Sequence, residues 1–292
     1  MKIKYIFPLL LVLFAFACKN ELTIFEQINE ETKLEEAEIK GSVNSIVKLK
    51  EKLYATDGNI YSKNIGVVRG WGATAGPGGN IHKLASNGIN LYALNEHGEL
   101  FTTTDGSAWN KVDVSETISS IETIFDNEFD TVYIHGTAKG ASETSYFKLE
   151  GTTANLTDEV SSIVVLKTDK GTYTAKDGTV TGSNDLGSVS DLGKVCSLTY
   201  SAVDKAIYAG TMDGLRRLPV DDAGKLTGEV KDPPGNWGAT IKAYKAFAVL
   251  ATGTNTSDAA LYTSTIEEGS PYAKINGLWG YYYTRRDNWN RE

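Results

Sequence analysis

The chain has 292 residues, 41% of them hydrophobic and 10% aromatic, enough apolar matter for one large all-β domain or two ordinary ones. Its formal charge of −8 leaves it without the dense Lys/Arg needed to displace counterions, so no nucleic-acid partner is expected. Tyr, Thr, Val, Ile and Gly are plentiful and helix formers are nowhere concentrated for long, which favours strands and turns.

Lys2 and Lys4 precede an apolar run, Tyr5 to Ala17, that ends in Ala15-Phe16-Ala17-Cys18. The run is shorter than the roughly 20 residues needed to span a bilayer. It has the layout of a secretory signal: positive start, apolar middle, small residues at the cut. Small residues directly before a cysteine resemble the lipobox of bacterial lipoproteins, with Ala15 where that pattern prefers Leu. The resemblance implies that residues 1–17 are a signal peptide and that Cys18 carries diacylglycerol and palmitate as the first mature residue. It also implies a membrane partner through the lipid anchor, and a bacterial cell-envelope address, in the outer rather than the inner membrane. Cleavage removes two lysines and no acidic residue, taking the charge from −8 to −10. Anionic lipid would repel such a domain, leaving the acyl chains as the attachment. The one other cysteine, Cys196, is then expected to be a buried free thiol, and a disulfide framework is excluded.

Residues 18–33 are polar and acidic, the composition of a tether. From Leu34 onward the chain is β-like, and internal repeats set the expected architecture. The clearest unit is Leu91–Trp109: strand LYAL, turn NEHG, strand ELFTT, a turn on Asp105-Gly106, and Trp109 opening a third strand. Related units begin near residues 46, 81, 121, 163, 197 and 241, each with short strands separated by Gly, Asp and Asn turns. A period near 40 residues with several strands per unit predicts a β-propeller over residues 34–292, with a β-sandwich as the rival. Leu278–Glu292 reads as the second half of a unit, and Leu34–Ser42 as a strand without one. The expectation is seven blades, the last shared by N- and C-terminal strands, with six blades as the alternative.

TDGSAW resembles the Asp-box of sialidase-type and other bacterial propellers. That resemblance makes Asp105 an acceptor of backbone N–H groups, Gly106 the φ > 0 position and Trp109 the packing aromatic, all structural rather than catalytic. With the lipobox and the WNRE ending, the chain is also similar to propeller lipoproteins of spirochaetes, which implies an envelope location and no particular activity.

Nothing in the sequence predicts catalysis. The Arg-Ile-Pro signature of sialidases is absent, and most arginines stand in adjacent pairs late in the chain. His82, His97 and His135 fall in different repeats at no metal-ligand spacing, and Asp221-Asp222 reads as a turn, so no metal and no cofactor are expected. Trp71-Gly-Ala-Thr and Trp237-Gly-Ala-Thr are identical strings, and Trp279-Gly follows later. They read first as equivalent packing positions between blades. Their sharper reading is a ligand patch of Trp71, Trp237, Trp279, Tyr281, Tyr283, Arg285 and Arg286. The functional expectation is a lipid-anchored, non-catalytic binding or scaffolding propeller with an envelope protein or glycan as partner; a glycan-binding or glycan-processing propeller and a surface adhesin are the alternatives.

Overall fold

The computed structural model describes residues 37–39, 41–128, 130–235, 245–266, 277–285 and 289–292, within the unit Ala37–Glu292. The expected signal peptide, Cys18 and the expected tether lie outside the described residues. The described strands form six sheets, each from one continuous stretch of chain in simple antiparallel order. Blade 1 is β1 (Ser45–Leu49), β2 (Lys52–Thr56), β3 (Ile60–Asn64) and β4 (Gly72–Thr74). Blade 2 is β5 (Ile81–Ser86), β6 (Leu91–Asn95), β7 (Leu100–Thr103) and β8 (Asn110–Val112). Blade 3 is β9 (Ile118–Asp126), β10 (Val132–Ala138), β11 (Thr144–Glu150) and β12 (Thr153–Thr157). Blade 4 is β13 (Val165–Lys167), β14 (Thr172–Lys176), β15 (Thr179–Gly182) and β16 (Ser188–Val189). Blade 5 is β17 (Val195–Ser201), β18 (Ala206–Thr211) and β19 (Gly214–Pro219). Blade 6 is β20 (Lys245–Thr252), β21 (Ala260–Ile266), β22 (Gly277–Tyr282) and β23 (Trp289–Arg291).

The protein is therefore a six-bladed β-propeller, the alternative count rather than the favoured one. The expected units begin within a few residues of the first strands observed. The count differs because the stretch near 241–264 is half a blade: it supplies only β20 and β21, and Leu278–Glu292 completes that same sheet as β22 and β23. Among the described residues no sheet combines strands from the two ends. Ile39 lies instead in the core between blades 6 and 1, its N–H donating to the Glu292 carbonyl at 3.3 Å.

Among the described residues blade 5 has three strands, with isolated bridges at Arg217–Lys231 and Val220–Leu226. Pro233 and Pro234 follow directly, and neither can donate to a ladder.

The core lies between blades. Inward faces of neighbouring sheets form the apolar clusters, such as Leu166, Tyr173 and Val180 of blade 4 with Leu198, Ile207 and Leu218 of blade 5. Side chains also stitch one first strand to the next: Ser45 Oγ accepts from Leu84 N at 2.9 Å, and Thr199 Oγ1 from Ala251 N at 2.8 Å. At the hairpins after the first strands, Ser86, Asn127, Thr168 and Ser201 each accept backbone N–H groups of the turn. Such side chains replace the hydrogen bonds a tight turn leaves unmade.

The turn at Asp105 shows how local chemistry and blade packing meet. Asp105 Oδ1 accepts from Ser107 N at 2.8 Å, Ala108 N at 3.3 Å and the Thr103 hydroxyl at 3.0 Å. Gly106 sits at φ +79, and a Cβ there would come within 2.3 Å of the Tyr54 hydroxyl of blade 1. Tyr54 donates to the Asp105 carbonyl, and Trp109 Nε1 donates to Ala75 O at 2.9 Å, so the turn of blade 2 is seated on blade 1.

Candidate functional site: the central channel

A cavity of about 660 Å³ is lined by residues from the first strand of every blade, which places it on the axis of the ring. Its volume lies within the roughly 300–1,000 Å³ typical of small-molecule sites. Among the titratable groups that line it are Lys83, Asp126, Glu128 and Cys196, of blades 2, 3 and 5. None of these except Cys196 stood out in the sequence.

Each is aimed by its local backbone. Lys83 follows a register shift between Ile81 and Lys83 on β5, and Cys196 is the unpaired residue between Val195 and Ser197 on β17. A comparable shift occurs between Ala246 and Ala248 on β20, leaving Phe247 unpaired beside the cavity. A bulge of this kind re-aims a side chain that regular alternation would send into the neighbouring sheet. Glu128, two residues past β9, is held at φ +61, an uncommon conformation for a residue with a side chain.

Asp126 fixes this corner. Its Oδ2 accepts from Ser86 N of blade 2 at 2.8 Å, and its Oδ1 from Glu128 N at 2.9 Å. The Glu128 carboxylate reaches past blade 4 to blade 5, where the Thr199 hydroxyl and the Tyr200 backbone amide favour its charged form. Lys83 Nζ donates to Asn44 O at 3.3 Å.

The electrostatics share one cause. Glu128 is exposed to the cavity yet enclosed by the ring. Burial pushes its carboxyl well above the usual carboxylate range, Asp126 adding to the rise while Thr199 and Tyr200 oppose it. Burial also raises Asp126, against the Ser86 and Glu128 amides and Lys83, and it lowers Lys83, against the pull of Asp126. The Cys196 thiol is pushed up by burial, with Lys194 and Lys83 pulling it back. A thiol with a raised pKa is less often present as the thiolate, the nucleophilic form. The structure also corrects the expected burial of Cys196, which is half-exposed where it borders the channel.

The described rings of the aromatic patch expected from the sequence are buried. Trp71, Trp279, Tyr281 and Tyr283 are all at most 6% exposed. Trp71 packs with Tyr262 and Tyr282 at the seam of blades 6 and 1, while Trp279, Tyr281 and Tyr283 join Trp289 in the core between blades 5 and 6. Tyr281 and Tyr283 meet edge to face at 5.1 Å, and the Tyr283 hydroxyl donates to Asp204 of blade 5. Arg285 closes a one-turn 3-10 helix, Tyr283–Arg285; Trp237 and Arg286 lie outside the described residues. The physical reason is blade geometry: both faces of a blade strand pack on neighbours, so alternate residues of β22 are all buried. Asp221 Oδ1 accepts from Ala223 N and Lys225 N, which is a turn.

Comparison with solved structures finds propellers at low identity. The WD40 propeller domain of Doa1 matches at 12% identity, covering 79% of this chain and 91% of that one, with a TM-score of 0.47. A chain of the mitotic checkpoint complex matches at 14%, covering 79% and 74%, with a TM-score of 0.46. YCF48 from Cyanidioschyzon merolae matches at 10%, covering 88% and 86%, with a TM-score of 0.42. No curated protein sequence matches the chain. A family model does, over residues 9–227, which takes in the cysteine at 18 and the described strands of the first five blades. The chain belongs to the TP013X lipoprotein family.

Proposed function

We propose that this lipoprotein is a binding propeller of the cell envelope, anchored through Cys18, and that its ligand site is the central channel. Membership of a lipoprotein family implies membrane anchoring, and the six-bladed ring supplies a rigid frame for a site on its axis. The observation that carries the reading is the convergence of Lys83, Asp126, Glu128 and Cys196 on one cavity of about 660 Å³. Maintaining charged groups in an enclosed lumen is costly, and a ligand that pairs with them recovers part of that cost. The glycan reading drew on exposed aromatic platforms, and Trp71, Trp279, Tyr281 and Tyr283 are packed between blades, which favours the channel as the site. The test is native mass spectrometry of the lipoprotein purified from envelopes in mild detergent, beside Ile163→Trp, which fills the channel from a residue 46% exposed beside it. A co-purifying small molecule in wild type that is lost in the variant supports the reading. Identical spectra without any adduct overturn it.

A further inference from the structure

The described chain enters the ring at a definite place. Glu38 Oε2 accepts from Trp71 N at 2.7 Å, and its Oε1 lies 4.0 Å from Arg69 Nε, so it sits on the connection between β3 and β4 of blade 1. That connection is at the end of the ring where the first strands finish, since Ile65 N donates to Glu51 O of the β1–β2 turn at 3.0 Å. Lys50 of the same turn donates to Thr104 O of blade 2 at 2.8 Å, and the pairing of Leu91 with Thr103 sets the β5–β6 turn beside that point. Two of the five exposed large apolar side chains among the described residues stand on these connections, Val67 at 45% and Ile89 at 67% exposure. Lys48, Lys50, Lys52 and Arg69 there outnumber Glu38, Glu51 and Asp105, in a chain whose formal charge is −8. The opposite end of the same two blades is acidic: its turns carry Asp57, Glu96, Glu99 and Asp113, with Lys111 beside Glu99.

From this arrangement we infer that this end of blades 1 and 2 rests on the lipid surface to which the protein is anchored, with Val67 and Ile89 in the headgroup region and the lysines against lipid phosphates. The inference rests on the reading of Cys18 as the anchor and does not depend on what the channel holds. Residues 19–36 separate Cys18 from the ring, at most roughly 60 Å of chain. That reach lets any face meet the membrane, so the surface itself decides which one does. Entry of the chain at this end brings it closest to the anchor, and its side chains favour it: Val and Ile gain by leaving water, and lysines gain at an anionic surface. Two apolar residues and a small excess of cations do not hold a free protein on a bilayer. An acylated protein is already confined there at high effective concentration, and a weak contact then suffices to orient it. The negative charge of the domain as a whole opposes this little, because salt screens charges farther away than about 10 Å.

The experiment places the full lipoprotein in vesicles of phosphatidylcholine and phosphatidylglycerol. In a Cys196→Ser background, an environment-sensitive fluorophore is attached at Ala108→Cys, exposed beside the patch, or at Glu143→Cys, exposed in the β10–β11 turn at the other end. Nitroxide-labelled lipids quench the fluorophore at 108 and leave the one at 143 unaffected. Quenching at 108 is lost when Val67→Ser and Ile89→Ser are combined, and it falls when Lys48→Glu and Lys52→Glu are combined. Both variants still float with the vesicles, and melting curves establish that they remain folded. Equal quenching at the two positions, or quenching at 108 that survives the apolar variant, overturns the inference and leaves the anchor standing. Wild-type protein that does not float with the vesicles overturns both readings. A fluorescence shift at 108 that appears in detergent and grows with protein concentration assigns the patch to a second copy of the chain, and that too overturns the inference.

Discussion

The Lys63 ammonium and the Glu292 carboxylate form a salt bridge at 2.5 Å with neither side chain exposed, joining β3 of blade 1 to the residue after β23 of blade 6. Every polar atom of the bridge has further partners. Glu292 accepts from Trp71 Nε1 at 2.9 Å and from the Tyr282 hydroxyl at 2.6 Å, and Lys63 also reaches Tyr282 at 2.7 Å. The rings of Tyr262, Trp71 and Tyr282 surround the ammonium with centroids at 4.5, 5.1 and 5.3 Å. Around this network Ser42 donates to Thr265 O, and Val43 N donates to Ser264 Oγ. The ring thus closes by a polar clasp between complete blades rather than by one blade built from both ends.

Breaking the clasp from one side leaves a buried charge unpaired. Lys63→Met and Glu292→Gln should each lower stability by about 3–5 kcal/mol in chemical denaturation. The double variant Lys63→Met with Glu292→Leu should be far more stable than the sum of the single losses predicts. Additive losses in the double-mutant cycle would mean that the two residues act independently.

Asp105 predicts an acid-sensitive turn. The Ser107 backbone amide first, then the Ser107 side chain, the Ala108 amide and the Thr103 hydroxyl, hold its carboxyl well below the ordinary value of 3.8. A depressed folded-state pKa contributes stability above 3.8 and loses it as pH falls through that value toward the folded one. The melting temperature of wild type should therefore fall more steeply below that pH than that of Asp105→Asn. Ligand binding should be unchanged in the variant at neutral pH. Parallel acid curves would remove Asp105 from the account of stability.

Glu128 predicts the opposite slope. Its folded-state carboxyl is raised, chiefly by burial, so the native state holds a proton that the unfolded chain releases near 4.5. Stability from this group is greatest at low pH and declines as pH rises above 4.5 toward the raised value. Asp126, Lys83, Cys196 and Tyr200 line the same lumen, the buried Thr199 hydroxyl meets Glu128 from blade 5, and all remain in place when Glu128 is changed. Glu128→Gln should match wild type in acid and exceed it at neutral pH and above. A variant less stable than wild type at neutral pH would show that the carboxylate is needed to hold the ring together.

Lipidation is tested by metabolic labelling. Palmitate should label the mature protein, and Cys18→Ser should remove the label and release the domain from the membrane fraction. Unlabelled wild-type protein in the soluble fraction would end the proposal of a Cys18 anchor.

Much of the fold was legible because the first strand of each blade leads into a short turn, built on Ser, Thr, Asn or Asp in blades 2 to 6, and that pattern recurs along the chain. The blade count was harder to read because a hairpin such as β20–β21 looks like a unit on its own when the rest of its sheet follows an intervening segment. The channel was not legible. Lys83 and Asp126 look like any charged residues of strands with mixed polarity, and only the bulges and the ring place them on the axis. Glu128 belongs to the most divergent repeat, where similarity between units gives least guidance. The Trp-Gly strings were read first as packing positions between blades, and Trp71 and Trp279 do pack there.

The central claim is that small molecules bind inside the ring. Its most direct test is the rate of Cys196 alkylation by iodoacetamide in the lipoprotein, measured with and without the small-molecule fraction of its own envelopes. The thiol is half-exposed and borders the cavity. The account predicts that the fraction slows alkylation in wild type and that Ile163→Trp abolishes the difference. An alkylation rate in wild type that is the same with and without the fraction would contradict it.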